Sequence, residues 1–236
     1  MELNGVTLGL LLCSITGRGV PFPNEDVLKL CGKSRGKLLP VVTVEPDARR
    51  VSDAVQLTKE NDDLVRAFKI MLGYGETRAD DPVFDPMFDY AESADLPVMF
   101  HTGDIAYAKG SLENSHPMVL DTVANRHAGL KIVACHFGNP WIEDVAELIY
   151  KHPNVYADIS GLMVGGSKYI GQYTDWLAER LSRAIFFAGG ADKVIFGSDY
   201  PVTHPSKAIS LVARLEIDAG DRKRILSENA RKVFHL

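Results

Sequence analysis

The chain has 236 residues, 46% of them hydrophobic and 24% charged, with a formal net charge of −5 at pH 7. That length suits one large α/β domain or two small ones, and an acidic chain with no basic patch does not fit a nucleic-acid partner. No apolar stretch approaches the roughly 20 residues of a membrane span, so no membrane partner is expected.

Runs rich in Val, Ile, Leu and Phe predict strands at 8–15, 38–44, 65–72, 97–101, 132–136, 155–159 and 194–197. Segments with helical spacing begin near Asn24, Asp47, Asp85, His116, Pro140 and Tyr169, with two more after Pro205 and Asp221. Asn139 reads as a helix cap, with Pro140 at the first helical position and Glu143 and Asp144 in the first turn. Gly220 reads as a helix stop and Asp221 as the cap of the last helix. Strand then helix, about seven times over, predicts a parallel sheet covered by helices, with 1–236 as a single domain. A doubly wound open sheet and a (β/α) barrel both fit this order. Gly17-Arg18-Gly19 and Gly73-Tyr74-Gly75 lack the third glycine of a dinucleotide fingerprint, and there is no P-loop, so an open-sheet nucleotide enzyme loses its support. Cys13, Cys31 and Cys135 have no CxxC spacing and read as reduced, buried thiols of a cytoplasmic protein. Met1-Glu2-Leu3-Asn4 lacks the basic start of a signal peptide.

Polar residues at strand ends favour the barrel. Alternate strand residues share a face, which groups Pro97, Met99 and His101, then Ile132, Ala134 and His136, then Ile195, Gly197 and Asp199. Val65, Ala67, Lys69 and Met71 form a fourth such row. Barrel enzymes carry metal ligands and catalytic groups at the carboxyl ends of their strands. Taken singly, each residue has a bland role: a core histidine with its hydrogen bonds made, an aspartate capping the Tyr200-Pro201 turn, a snorkelling lysine. Taken together, four such groups bury charge without partners, which is costly. A divalent cation held by imidazole nitrogen and carboxylate oxygen removes that cost and matches the preferences of Zn²⁺ or Mn²⁺. Phe196, in the last run, reads as a buried aromatic.

Four motifs and a closing segment then carry a family likeness. His101-Thr102-Gly103-Asp104, Cys135-His136-Phe137-Gly138, Asn154-Val155-Tyr156-Ala157-Asp158-Ile159-Ser160-Gly161, Phe196-Gly197-Ser198-Asp199-Tyr200-Pro201 and Glu228-Asn229-Ala230-Arg231-Lys232-Val233-Phe234 resemble the amidohydrolase superfamily. The branch is that of TIM-barrel metal-dependent hydrolases, which includes aminocarboxymuconate semialdehyde decarboxylase. The resemblance runs from about Asn4 to Phe234. It implies a TIM-type (β/α) barrel with His101 as a metal ligand and His136 as a ligand or acid–base group. It implies Asp199 as a ligand or as acceptor of the proton of an activated water. Zinc is the first choice of metal and manganese the second. Lys69 lies where some relatives carry a metal-bridging lysine and is otherwise a candidate substrate contact.

The family's opening His-x-His pair is missing: among His101, His116, His127, His136, His152, His204 and His235, no two are separated by one residue. The first residues resemble the end of the family's first helix running into its second strand. The barrel is therefore expected to be incomplete, with about seven strands and the first strand absent. Two exposed edges would need partners. Closure on fewer strands, an open C-shaped sheet, and a homo-oligomer covering the gap are the three solutions. His116 and His204 are candidate substrate-binding residues with a helix-start role as the alternative, and His127, His152 and His235 read as surface residues facing helix dipoles. The expected substrate is a small carboxylated or cyclic molecule, hydrolysed at an amide, ester or lactone bond or else decarboxylated. A catalytically silent, barrel-derived binding protein is the rival from another class.

Overall fold

The computed structural model describes residues 1–13, 23–163 and 168–236. Gly17-Arg18-Gly19 and the end of the 8–15 run lie outside those residues. The described strands are β1 (Gly9–Leu12), β2 (Leu38–Val44), β3 (Ala67–Ile70), β4 (Val98–Phe100), β5 (Ile132–Ala134), β6 (Val155–Asp158) and β7 (Val194–Ile195). They form one parallel sheet in sequence order. The helices are α1 (Asn24–Lys33), α2 (Ala48–Lys59), α3 (Asp85–Ser93), α4 (Leu112–Ser115), α5 (Leu120–Arg126), α6 (Ile142–Lys151), α7 (Ile170–Phe187), α8 (Pro205–Arg214), α9 (Ala219–Lys223) and α10 (Asn229–Phe234). No helix among the described residues is long and apolar enough to cross a membrane.

The sheet has two apolar faces because parallel strands are buried on both sides. On the helix-covered face, Phe68, Phe88, Phe100 and Phe137 anchor the larger core. On the inner face, Val41, Ala67, Met99, Val133, Cys135 and Ile195 pack with Val233 and Phe234 from α10. His235, at the end of α10, reaches Asp95 and Lys131, which precede β4 and β5. The C-terminal helix thus closes the inner face at the amino ends of the strands and leaves the carboxyl ends open as a mouth.

Among the described residues, β1 pairs only with β2 and β7 only with β6, so the chain's own sheet is open and C-shaped and does not close on fewer strands. The outer edge of β7 is satisfied from its own chain. The Phe196 N–H donates to the Ile225 carbonyl at 2.9 Å, and the Asn229 side chain donates to the carbonyls of Val194 and Ala191, each at 2.7 Å. Asn229 is buried, so this amide removes two carbonyls from the set that would otherwise lack partners.

Several local expectations change in the folded chain. The helix after Pro140 starts at Ile142 with Trp141 in the cap position and no side-chain cap, and Asn139, two residues earlier, donates its amide to the Tyr173 hydroxyl instead. Asp218, not Asp221, caps α9, accepting from the Asp221 N–H at 2.7 Å, and Gly220 lies inside that helix. His152 is buried rather than exposed: its Nε2 lies 2.7 Å from Asp121 and ties α6 to α5. Phe196 is only half-buried, because the chain leaves the sheet at Ile195. Phe234 takes the enclosed position instead. Phe234→Ala is expected to cost about 3–5 kcal/mol and Phe196→Ala less than half as much, as measured by urea unfolding of the two variants side by side.

Candidate active site

Lys69, His101, Asp158 and Ser160 all stand at the mouth, on or just past the ends of β3, β4 and β6. Lys69 is buried on β3 and its Nζ donates to the Cys135 thiol at 2.9 Å, across the intervening strand β4. Burial, together with nearby Asp158, pushes the Cys135 thiol well above its ordinary range, so it sits there as a neutral acceptor.

His136 reaches the mouth by a route that strand alternation does not give. Ile132 and Ala134 face the helices, and simple continuation would send His136 the same way. The strand instead ends at Ala134, and His136 and Phe137 adopt left-handed backbone conformations with φ of 61° and 45°. Such angles are unfavourable for residues with a Cβ and persist only where the surroundings hold them. Here they swing the imidazole back over the strand end while Phe137 enters the helix-side core.

His101 and His136 meet at the centre, with His101 Nδ1 and His136 Nε2 3.1 Å apart. Behind each ring stands a main-chain carbonyl: Asp104 O lies 3.1 Å from His101 Nε2, and Ser160 O lies 3.0 Å from His136 Nδ1. A carbonyl only accepts, so the tautomers that satisfy both carbonyls put the hydrogen on each outer nitrogen and a lone pair on each inner one. Two lone pairs face each other at hydrogen-bond distance. A proton or a cation between them resolves that repulsion. Burial first, then the charges of His136 and Lys69, lower the His101 pKa from 6.5 to about 2 despite the Asp104 carbonyl, so His101 stays neutral.

Asp199 follows β7 in a left-handed turn with φ of 58° and is exposed at the rim. It shares a hollow with His136: a Cβ on Gly161 would lie 2.9 Å from His136 Nδ1 and 3.1 Å from Asp199 Oδ2. Gly161 thus lies between the His136 ring and the Asp199 carboxylate, and the same carboxylate acts on Tyr74, which packs on His101. Among the described residues, no group of three His, Cys, Asp or Glu side chains is arranged to hold a metal ion.

The donor chemistry nevertheless fits a metal at two positions. Each histidine has its second nitrogen fixed by a carbonyl, the arrangement typical of metal-bound imidazole. Ligands about 2.1 Å from one ion stand roughly 3–3.4 Å apart, which accommodates the observed pair.

Tyr74, which entered the sequence reading only within the incomplete fingerprint Gly73-Tyr74-Gly75, stands beside the pair. Its ring packs edge-on against His101 at 5.0 Å, and burial first, then Asp104 and Asp199, raise its phenol above the ordinary value. Gly73 sets this up, since with φ of 80° its missing Cβ makes room for Ile105, Ser115 and Ser111 of the neighbouring loop. His116 caps the short turn Pro117–Val119 and stacks on Trp141 at 4.6 Å. His204 caps α8 and is exposed. Both sit at helix starts, with no contact to the histidine pair among the interactions of the described residues.

The family described as amidohydrolase matches residues 17–236. A TIM-barrel protein from Bordetella bronchiseptica superposes with a TM-score of 0.79 at 19% identity, covering 100% of this chain and 80% of that one. A 2,6-dihydroxybenzoate decarboxylase from Rhizobium gives 0.66 at 18% identity, with 90% and 75% covered. A 5-carboxyvanillate decarboxylase from Novosphingobium aromaticivorans, complexed with manganese and 4-hydroxy-3-methoxy-5-nitrobenzoic acid, gives 0.64 at 18% identity, with 90% and 68% covered. No curated protein matches the sequence.

Two outcomes are expected from this geometry. The unfolded chain binds a proton near pH 6.5 that folded His101 refuses down to about 2, so between these values the unfolded state holds more protons. Stability should fall as pH drops through that window, with a slope approaching about 1.4 kcal/mol per pH unit. Urea unfolding of the wild type and of His101→Gln, which should flatten the dependence, checks this. Gly161→Ala should lose about 1–2 kcal/mol to its left-handed backbone and displace the His136 ring, which histidine NMR resonances would register.

Proposed function

The chain belongs to the amidohydrolase family, and from that premise we propose that it is a metal-dependent decarboxylase of a small carboxylated ring. The whole chain, 1–236, would act as one catalytic unit. The observation that carries the proposal is the pair of inner nitrogens, His101 Nδ1 and His136 Nε2, 3.1 Å apart with a carbonyl behind each ring. Likeness to decarboxylases of 2,6-dihydroxybenzoate and 5-carboxyvanillate supports the choice of reaction.

We assign His101 and His136 as nitrogen ligands and Asp199 as the carboxylate that completes the donor set or handles protons. Manganese, present in one of the similar decarboxylases, is the first metal to try and zinc the second. A bound divalent ion supplies a Lewis acid that polarises substrate oxygens. His101, neutral and buried, holds its place without competing for protons. Loss of carbon dioxide leaves a ring carbon that takes up one proton in place of the carboxylate. Asp199, exposed at the rim, would pass that proton between solvent and the site. Tyr74, edge-on to His101, borders the space a planar ring would occupy. Lys69, buried and donating to Cys135, would act on the site through its charge.

Hydrolysis of an amide, ester or lactone is the second possibility, favoured by the family description. Mn²⁺-loaded protein offered 2,6-dihydroxybenzoate is expected to release carbon dioxide with uptake of one proton, and to retain about one metal ion per chain. His101→Ala should lose roughly 10–100-fold in metal affinity. Retention of no metal after Mn²⁺ or Zn²⁺ supplementation would favour a silent binding protein and end the catalytic proposal. Acid and amine or alcohol products from a panel of amides, esters and lactones, without decarboxylation, would replace lyase by hydrolase.

A further inference from the structure

His136 is held in its unfavourable backbone conformation by Asp158 at the end of β6 and by Ser160 just after it. One oxygen of Asp158, Oδ1, accepts three hydrogen bonds: from the His136 N–H at 3.0 Å, the Ser160 N–H at 2.9 Å and the Ser160 hydroxyl at 2.5 Å. Burial alone would raise the Asp158 carboxyl, but His136, Ser160 and Lys69 together bring it below its ordinary value. The Ser160 oxygen also lies 3.0 Å from His136 Nδ1. A hydroxyl has one hydrogen, and here Asp158 takes it, so toward Nδ1 the oxygen can only accept. The Ser160 carbonyl imposes the same direction. Two glycines clear the space: a Cβ on Gly197 would come within 2.7 Å of Ser160 Cβ, and one on Gly161 within 2.9 Å of Nδ1.

We propose that Asp158, acting through the Ser160 hydroxyl, is a positioning residue that fixes both the ring direction and the Nδ1–H tautomer of His136. The order of polarity runs from carboxylate to hydroxyl to imidazole, and it delivers the Nε2 lone pair to the face opposite His101. Remote as it is from any substrate contact, Asp158 decides which nitrogen of His136 is available. The bearing of this on catalysis rests on the metal-dependent function proposed above; the tautomer itself does not.

The test uses the full, metal-free chain with ¹⁵N-labelled histidine and long-range proton–nitrogen NMR. Wild-type His136 is expected to carry its hydrogen on Nδ1, with Nε2 bare. In Asp158→Asn the new amide can donate to the Ser160 oxygen, which frees the hydroxyl to donate to Nδ1, so a population with hydrogen on Nε2 should appear. Adding Ser160→Ala to that variant removes the competing donor and should restore the Nδ1–H form. Mn²⁺ affinity should fall about 10–100-fold in Asp158→Asn. A wild-type ring protonated on Nε2, or an unchanged tautomer in folded Asp158→Asn, overturns the proposal. Should Asp158→Asn fail to fold, Ser160→Ala carries the test. Broadened His136 ring resonances with Nδ1–H retained support the proposal, and a spectrum identical to wild type overturns it. A wild type that binds no Mn²⁺ would count against the metal-dependent function alone, because the tautomer is read without metal.

Discussion

Two imidazole nitrogens held 3.1 Å apart, each with a carbonyl behind its ring, set the condition that the surrounding structure meets. Imidazoles in water would rotate or exchange tautomers to avoid such an encounter. Here neither ring has that freedom. His101 is buried at the end of β4, and its outer nitrogen is engaged by the carbonyl three residues on. His136 is fixed by Asp158 at the end of β6 and by Ser160 just after it. The frustration of the pair is therefore built into the fold, and the amidohydrolase reading gives it a use.

The loops around the mouth are locked to one another rather than left loose. Gly103, with φ of 98°, lets the chain after His101 pass so close to Asn139 that a Cβ would lie 2.5 Å from the Asn139 carbonyl. The Asp104 N–H donates to that same carbonyl at 2.9 Å, and the Thr102 hydroxyl donates to the Cys135 carbonyl at 2.6 Å. The segments after β4 and β5 are thus joined just above the histidines they carry. On the other side, the Ser111 N–H donates to the Gly73 carbonyl at 2.8 Å, which joins the segments after β3 and β4 and fixes the turn bearing Tyr74. Preorganisation of this kind lets a site keep groups in place that would otherwise move apart.

An open parallel sheet exposes main-chain donors and acceptors at its margins, and this chain deals with the β7 margin internally. Asn229 and Ile225 supply the hydrogen bonds a further strand would have made, while Val233 and Phe234 fill the inner face that a closed barrel packs with strand side chains. The same C-terminal segment therefore stabilises the edge and seals the end remote from the mouth. Chemistry and closure lie at opposite ends of the strands, so the mouth carries the strained and titratable groups and the far end supplies packing.

The sequence by itself determined the strand–helix alternation, the parallel sheet, the position of each strand to within a few residues, and the family likeness. These are legible because period-two and period-3.6 patterns are local, and because motifs such as Asp158-Ile159-Ser160-Gly161 are contiguous. It also singled out His101 and His136, which do meet. Only the tertiary structure decided which way His136 points, since two left-handed residues override the alternation that the strand pattern implies. Only the tertiary structure gave Tyr74 its place against His101 and moved His152 from the surface to a buried contact with Asp121. The physical reason is the same in each case: side-chain direction at the end of a strand is set by hydrogen bonds to residues tens of positions away, such as Ser160 for His136, and no local period encodes those partners.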